Sequence, residues 1–222
     1  MFTVGELPPP IAPERLARLA QCETATIGHF LHSQFMDPAL RAVIPDRRVA
    51  GTAVTVLVPP LDGTMMHYAI GHARPGDFMV VDRAGDHRHA CWGGVVEIAA
   101  EVAGVAGAAI DGPATDFEEI RRTGVPVWCR GPSPVTVKRL GLSGAFCVPV
   151  SCGGVMVRPG DAILADESGI VVVRPEQIEW VVEEALRRQA AEPETIRRLR
   201  AGERLHEISG AGAQVAAAMK RG

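Results

Sequence analysis

The feature that most constrains the fold is a regular alternation of short apolar segments and amphipathic segments between residues 49 and 129. The apolar segments are rich in β-branched residues, and the amphipathic segments carry apolar residues at helical spacing. Strands are therefore predicted at 49–58, 78–81, 106–110 and 126–129, and helices at 65–72, 93–103 and 115–123. Strands that alternate with helices predict βαβ crossovers and a partly parallel sheet.

The pattern changes after residue 131, where short strands follow one another with Gly- and Pro-containing turns between them. These strands are predicted at 145–150, 154–157, 162–165 and 170–173. They indicate a β-rich layer that packs on the first layer. Residues 158–161 repeat the Arg-Pro-Gly-Asp sequence of residues 74–77, and Pro-Gly suits the two central positions of a type II turn.

The N-terminal segment is rich in proline. Pro8, Pro9, Pro10 and Pro13 disfavour a helix, so residues 1–13 are predicted to form an extended arm. Short helices are predicted to follow at 14–21 and 24–33.

The C-terminal segment has a helical pattern. It begins at Glu176 and runs to Gln189, and Pro193 is expected to break the helix. A final helix is predicted from Glu194 to Leu205, with a tail that continues toward Lys220. The chain is therefore predicted to consist of an extended arm (1–13), one α/β domain (14–190) and a C-terminal helical extension (191–222).

Composition excludes some classes of partner. The chain has 23 basic and 26 acidic side chains, for a formal net charge of -3, and only 5% aromatic residues. Neither the charge nor the aromatic content favours binding to nucleic acid. No apolar run reaches the roughly 20 residues of a membrane helix, so no membrane association is expected. Five scattered cysteines without a CxxC pair, and an N-terminus unlike a signal peptide, favour a cytoplasmic protein.

Gly93 and Gly94 are the first candidate site. They follow a polar loop after a predicted strand, and a helix is predicted to begin there. The first N–H groups of a helix lack intrahelical acceptors and bind carboxylate or phosphate, and glycine leaves them accessible. The alternative is close packing of the main chain against a strand.

Asp116 is the second candidate. It follows the strand that ends at Asp111, and the carboxyl ends of parallel strands meet at one edge of a sheet, so it is expected to lie beside Gly93 and Gly94. Its carboxylate is a candidate ligand for Mg²⁺, which typically takes one or two carboxylates and keeps several waters. The sequence Thr-Asp-Phe-Glu at residues 115–118 also matches a capping box, and spacing alone favours that alternative.

The histidines carry weaker signals. His87 and His89 would share one face of an extended segment and could hold a metal together, but the absence of a third ligand at a diagnostic spacing favours an ordinary polar loop. His67 lies in a mostly apolar predicted helix, which favours a structural histidine.

A set of segments in the expected order and spacing resembles a known family. The matching segments are 47–56, 66–70, 74–77, 80–82, 92–94, 104–107, 110–112 with Asp116, 124–127, 130–134, 150–155 and 161–173. Together they cover most of residues 14–190. They resemble the RraA-like family, which contains divalent-metal-dependent 4-hydroxy-4-methyl-2-oxoglutarate aldolases and the regulator of ribonuclease activity A.

The resemblance implies a fold and an activity. The fold is a layered α/β/β/α domain of the swivelling type, with a mixed, partly parallel sheet and C-terminal helices, assembled as a homotrimer or homohexamer with active sites at subunit boundaries. The implied activity is cleavage of a small 2-oxo acid with release of pyruvate, using Mg²⁺ or Mn²⁺. Residues that match the family's substrate-binding positions are Gly93, Gly94, Val95, Val96 and Thr115, and the match to the metal ligand is Asp116.

The chain departs from the aldolase pattern at two positions. Aldolases of this family carry an aspartate, twenty residues and then Arg-Asp, and the matching positions here are Gly94, Thr115 and Asp116. Thr115 cannot supply the arginine's fixed charge, and Gly94 lacks a carboxylate that would hold water near the metal. An altered substrate is therefore expected. A non-catalytic regulator and a metal-dependent hydratase or hydrolase are the alternatives.

Overall fold

The computed structural model describes residues 1–221. The strands are β1 (Phe2–Val4), β2 (Arg41–Ala42), β3 (Val49–Leu57), β4 (Asp77–Asp82), β5 (Gly107–Ile110), β6 (Val127–Cys129), β7 (Gly144–Phe146), β8 (Val150–Cys152), β9 (Val155–Val157), β10 (Ala162–Asp166) and β11 (Gly169–Val173). The helices are α1 (Pro13–Leu19), α2 (Thr24–Ile27), α3 (Thr64–Ile70), α4 (Gly94–Ala103), α5 (Phe117–Thr123), α6 (Ile178–Arg200), α7 (Leu205–Ile208) and α8 (Ala211–Met219).

Four parallel strands form the centre of the main sheet, in the order β3, β4, β5 and β6. Helices α3, α4 and α5 lie in the three connections between them. The predicted βαβ alternation is therefore confirmed. Because the strands are parallel, the loops that lead into all three helices leave the sheet at the same edge.

Strand β3 joins the central strands to the C-terminal strands. The edge of β3 that faces away from β4 pairs with β10 along residues 49–52 and with β7 at Val56 and Leu57, antiparallel in both cases. Since β3 is nine residues long, it can accommodate both partners. The predicted β-rich layer is present, and through β10 it is continuous with the central sheet, whereas β8 and β9 form a separate hairpin.

Alternate residues of the central strands pack on opposite sides of the sheet. Met79 and Val81 contact the layer of α3, α4 and α5, whereas Phe78 and Val80 contact the layer of hairpins. A third cluster packs α1, α2 and α6 against the outer face of the β10–β11 hairpin. The order of layers is α/β/β/α, which confirms the predicted fold class.

The two Arg-Pro-Gly-Asp turns have the predicted conformation. Gly76 has φ of +83° and Gly160 has φ of +87°, as the third position of a type II turn requires. Asp77 and Asp161 each accept a hydrogen bond from the main-chain N–H three residues earlier. The repeated motif thus has a local structural role in both places.

The predicted break at Pro193 is wrong, because α6 continues through Pro193 to Arg200. Proline removes one hydrogen bond of the helix. The residues around Pro193 are exposed, so water can replace that bond, and strong helix formers on both sides maintain the helix. The helix predicted at 24–33 is also shorter than expected and ends at Ile27.

The chain ends lie at the periphery of the molecule. Phe2–Val4 pairs in parallel with β7 at the edge of the main sheet. Helices α7 and α8 are largely exposed, and Gly222, the last residue of the predicted extension, lies outside the described residues. Within residues 1–221, no helix combines the length and the apolar character needed to cross a membrane.

The packing of β10 against the helices can be tested at Leu164, which is completely buried. Replacing it with alanine leaves a cavity, so Leu164→Ala is expected to lower the free energy of unfolding by about 2–5 kcal/mol. Urea denaturation followed by circular dichroism measures this change. The control Leu205→Ala removes an exposed leucine and is expected to change stability by less than about 0.5 kcal/mol. Equal effects of the two variants would contradict the assigned core.

Candidate functional site

Two loops meet at the carboxyl edge of the parallel strands. One follows β4 and leads to α4, and the other follows β5 and leads to α5. The main-chain N–H of Thr115 donates to the carbonyl oxygen of Trp92 at 2.9 Å, which links the loops directly. The structure thus brings Gly93 and Gly94 next to Thr115 and Asp116, as the sequence predicts.

The start of α4 presents main-chain N–H groups. The N–H of Gly94 donates to Asp116 Oδ2 at 2.8 Å. Glu97 donates to the carbonyl of Gly93, which is the first hydrogen bond within the helix. The N–H groups of Val95 and Val96 have no acceptor within residues 1–221. Two unpaired donors at the positive end of a helix favour a bound anion.

Asp116 has an unusual backbone conformation. It precedes α5 with φ of +53°, in the left-handed region, and its side chain makes no capping hydrogen bond to its own helix. The predicted capping box is therefore wrong, and α5 begins at Phe117, not at Thr115. The left-handed backbone directs the carboxylate toward α4, where Oδ2 accepts from Gly94 and Oδ1 lies 3.3 Å from the Thr115 hydroxyl. Such a conformation costs about 1–3 kcal/mol and is typical of functional sites.

Gly93 is required by the close approach of the two loops. A Cβ atom on Gly93 would lie 2.7 Å from Thr115 Cγ2 and 2.8 Å from Asp116 Oδ2, so any side chain here would displace those two groups. Close packing is therefore present at this position, but against the side chains of the second loop and not against a strand. The glycine both allows the contact and leaves the helix start open.

A third segment, residues 131–139, runs across both loops. Ala90 exchanges main-chain hydrogen bonds with Val135 and Val137, and Ala114 does so with Gly131 and Ser133. The segment forms one wall of an open cleft with a volume of about 510 Å³. The cleft is lined by His67, Ala90, Cys91, Gly93, Gly94, Val95, Val96, Thr115, Asp116, Thr136, Val137 and Arg139.

Two polar residues of this cleft were not predicted as site residues. His67 is exposed and lines the cleft, and is therefore not a buried core histidine. The signal was available, because α3 follows a parallel strand and begins at the same edge as α4 and α5. Arg139 is exposed and supplies a guanidinium. No pattern in the sequence indicates Arg139, since it reaches the cleft only through the path of the third segment.

Asp62 anchors the residues that directly follow the third segment. Its buried carboxylate accepts hydrogen bonds from the main-chain N–H groups of Leu140, Leu142 and Ser143, and from the main-chain N–H and hydroxyl of Thr64. Burial by itself would raise the pKa of Asp62, but these hydrogen bonds outweigh burial and hold the pKa well below its usual range. The charged carboxylate therefore holds the cleft wall against the start of α3.

Glu97 holds α4 and α5 together. Its buried carboxylate accepts hydrogen bonds from the Trp92 indole N–H at 2.7 Å and from the Thr123 hydroxyl at 2.6 Å. Burial raises the pKa of Glu97, and the hydrogen bonds oppose that rise. One side chain thus connects the loop before Gly93 with the end of the helix that follows Asp116.

His89 of the loop before α4 contacts an acidic residue of the same loop. His89 Nδ1 lies 2.9 Å from Asp86 Oδ2, and Arg83 donates to the same carboxylate at 2.9 Å, so these groups stabilise the loop. Within residues 1–221, no cluster of three or more His, Cys, Asp or Glu side chains is arranged to hold a metal. A cation in the cleft would therefore have few protein ligands. Mg²⁺ and, by similar chemistry, Mn²⁺ fit such a site, because Mg²⁺ keeps several waters around one or two carboxylates.

The chain is a layered α/β/β/α protein. The start of α4 and the Asp116 carboxylate lie side by side at the carboxyl edge of its central parallel strands. The sequence profile of the family described as RraA-like, Aldolase/RraA, matches residues 22–172. The chain belongs to the RraA-like family.

Similar proteins have been given different functions. A protein of Halalkalibacterium halodurans, named as a candidate 4-hydroxy-4-methyl-2-oxoglutarate aldolase, is 38% identical over 143 residues, covering 64% of this chain and 68% of that protein. A crystal structure of an uncharacterized protein from Pseudomonas syringae has a TM-score of 0.80 at 27% identity, covering 93% of this chain and 97% of that one. Streptomyces coelicolor RraAS2, described as an unusual member of the RNase ES inhibitor RraA family, has a TM-score of 0.75 at 27% identity, covering 84% and 98%.

The contribution of Asp62 can be tested by its pH dependence. Asp62→Asn replaces an acceptor oxygen by an N–H₂ group that faces donors, so the free energy of unfolding at neutral pH is expected to fall by about 1–3 kcal/mol. The lowered pKa means that the stabilisation is complete above the unfolded pKa of about 3.9 and is lost as the pH falls further. Urea titrations across this range should show a constant difference from the wild type above that pH and a shrinking one below it. A difference that stays constant into strong acid would contradict the assignment.

Proposed function

We propose that the protein is a divalent-metal-dependent carbon–carbon lyase that cleaves a small 2-oxo acid and releases pyruvate. The observation that carries the proposal is the position of the Asp116 carboxylate, which accepts a hydrogen bond at the open start of α4 instead of capping its own helix. Membership of the family supports the reaction class, because aldolase names occur among the similar proteins.

The helix start supplies a site for the substrate carboxylate. The unpaired N–H groups of Val95 and Val96 point outward from the first turn of α4 and would bind an anion with help from the helix dipole. A 2-oxo acid held there places its keto oxygen near Asp116. The proposed role of Gly93 and Gly94 is to keep this approach free of side chains.

Asp116 would hold the cation through Oδ1, since Oδ2 already accepts from Gly94. A bound Mg²⁺ or Mn²⁺ supplies positive charge that polarises the keto group and stabilises the negative charge that develops as the carbon–carbon bond breaks. Thr115 adds a hydroxyl beside the carboxylate but no charge. The proposed catalytic residues of this chain are therefore Asp116 and, as a neutral donor, Thr115.

Arg139 supplies the guanidinium that Thr115 lacks. It lies at the end of the third segment and lines the same cleft as Thr115 and Asp116. We propose that it binds an anionic group of the substrate beyond the keto acid. The guanidinium of Arg139 lies at a different position from the arginine of the aldolases, which Thr115 replaces here. This difference favours a substrate that differs from that of the aldolases.

The surface of α4 supports assembly with further copies of the chain. Val95 is 78% exposed, Val102 is 83% exposed and Ile98 lies between them, so one side of α4 is an apolar stripe that ends at the cleft. An apolar stripe of this kind favours contact with protein. We propose a homotrimer or homohexamer in which a second copy covers the stripe and completes the site.

A second candidate function is binding without catalysis, as in a ribonuclease regulator. The observation that favours it is Thr115, because a regulator does not need the arginine of the aldolases. Capture of an endoribonuclease by the purified protein, together with absence of pyruvate release, would support this function. Cation binding without lyase activity would instead favour a metal-dependent hydratase or hydrolase.

The proposed metal ligand is tested by Asp116→Asn. Asparagine tolerates the left-handed backbone, so the fold is expected to persist, whereas pyruvate release is expected to fall by about 100-fold or more because the charge that holds the cation is lost. The measurement couples pyruvate release to lactate dehydrogenase, with Mg²⁺ or Mn²⁺, over a panel of 4-hydroxy-2-oxo acids and oxaloacetate. The control is Glu118→Gln, which removes an exposed carboxylate two residues away. If the wild type releases no pyruvate from any member of the panel, the proposed lyase function is wrong.

The role of Arg139 is tested by Arg139→Ala. Loss of a charged hydrogen bond to the substrate is expected to raise KM about tenfold with a smaller change in kcat. Lys138→Ala is the matched control, because Lys138 is an exposed neighbouring cation that does not line the cleft. Equal KM values for the wild type and Arg139→Ala would show that the guanidinium does not bind the substrate.

A further inference from the structure

We propose that Arg83 is a positioning residue that sets the width of the cleft, because its buried guanidinium joins the loop that holds the cleft wall to the loop that leads into α4. This inference rests on the proposed function, since it concerns the distance between the two groups proposed to bind the anionic ends of the substrate. These groups are the N–H donors of Val95 and Val96 and the guanidinium of Arg139.

Arg83 is a completely buried charged residue beside the cleft. It directly follows β4, at the carboxyl edge of the parallel strands, and its exposed fraction is 0%. Burial of a charge is very costly unless the group is paired and hydrogen-bonded, and arginine is rarely buried completely. The partners of this guanidinium are therefore fixed points of the structure around it.

The guanidinium binds two different loops. Its Nη1 donates to the carbonyl oxygens of Val58 at 2.6 Å and Pro59 at 3.3 Å, in the loop after β3. Its Nη2 donates to Asp86 Oδ2 at 2.9 Å and to the carbonyl oxygen of His89 at 3.0 Å, in the loop after β4. Because a guanidinium is planar and rigid, these bonds fix the distance between the two loops.

The loop after β3 holds the wall of the cleft. The N–H of Lys138 donates to the carbonyl oxygen of Leu61 at 2.7 Å, and the N–H of Gly63 donates to the carbonyl oxygen of Lys138 at 2.7 Å. Arg139 is the next residue of the wall. The position of this loop therefore determines where the main chain of Arg139 lies.

The loop after β4 holds the helix start. His89 lies four residues before Gly93, which precedes the first turn of α4. This loop also touches the wall directly, because Ala90 exchanges main-chain hydrogen bonds with Val135 and Val137. A single contact of this kind allows the wall to turn about it, whereas a second link through Arg83 fixes the angle between the wall and the helix start.

The stem of Arg83 packs against the loop after β5. A Cβ atom on Gly112 would lie 2.6 Å from Arg83 Cγ and 2.8 Å from the carbonyl oxygen of Asp86. The side chain thus lies against all three loops at this edge of the sheet, but its hydrogen bonds join only two of them. A change that keeps the stem and removes the fork therefore acts on the wall and the helix start and leaves the loop of Asp116 in place.

The test is Arg83→Lys, with calorimetric titration of the protein in excess Mn²⁺ by 2-oxoglutarate and, separately, by pyruvate. Lysine keeps the stem and the charge beside Asp86, but one ammonium cannot join both loops. 2-Oxoglutarate has an anionic group at each end and pyruvate has only one. The preference for 2-oxoglutarate over pyruvate is expected to fall about tenfold, while the affinities for pyruvate and Mn²⁺ stay within about twofold of the wild type.

Arg74→Lys is the matched control. Arg74 precedes β4 at the opposite edge of the sheet, pairs with Asp77 three residues later as Arg83 pairs with Asp86, and donates to the carbonyl oxygen of Pro8. This control is expected to leave the preference unchanged, even if it lowers the melting temperature. Should Arg83→Lys fail to fold, Gly112→Ala tests the same link, because its methyl group displaces the stem of Arg83 and is expected to lower the preference.

A double variant separates positioning from a general effect on the fold. Arg139→Ala removes one of the two anion-binding groups and is expected to lower the preference by itself. Adding Arg83→Lys is then expected to cause no further loss, because the distance to an absent group no longer matters. A further loss in the double variant would contradict the proposal.

The outcomes distinguish this inference from the proposed function. If Arg139→Ala lowers the preference while Arg83→Lys binds both acids like the wild type, the role of Arg83 is wrong and the proposed function stands. If the wild type binds neither acid, or if Arg139→Ala leaves the preference unchanged, the proposed anion-binding groups are wrong and this inference fails with them.

Discussion

The parallel pairing of β4 with β5 is the constraint on which the site depends. Val81 lies opposite Ile110, so the two strands end at the same level and their loops leave the sheet side by side. The hydrogen bond from Thr115 to Trp92 then connects the loops, and the buried carboxylate of Glu97 connects the helices that follow. These contacts hold the start of α4 and the Asp116 carboxylate at hydrogen-bonding distance. A shift in this register would separate them.

Main-chain N–H groups at the start of α4 line one part of the cleft, and two unusual local features make them accessible to a carboxylate. Gly93 leaves no room for a side chain, and Asp116 adopts a left-handed backbone that few residues tolerate. Both features cost stability, and both serve to bring a carboxylate against helix N–H groups. The packed sheet below and the anchor at Asp62 beside the cleft compensate for that cost. The site therefore combines a rigid frame with groups that remain exposed.

Much of the frame could be predicted from the sequence, because each central strand is a continuous apolar run and each helix has an apolar side. The proximity of Gly93 and Asp116 followed from the same pattern. The side-chain partners were harder to predict. Spacing favoured a capping box at residues 115–118, since spacing cannot show that Asp116 has a left-handed φ. Arg139 lies in an irregular segment whose path depends on hydrogen bonds to Ala90 and Ala114, and no local pattern encodes these contacts.

The sequence by itself determined the alternation of strands and helices from β3 to β6, the turns at both Arg-Pro-Gly-Asp motifs, and the position of the Gly-rich start of α4. These are local properties, set by hydrophobic period and by the backbone preferences of glycine and proline. Only the tertiary structure decided that Asp116 faces α4 and that His67 and Arg139 share its cleft. Each of these depends on how segments far apart in the chain pack together, because the direction of a side chain is settled by its neighbours in space.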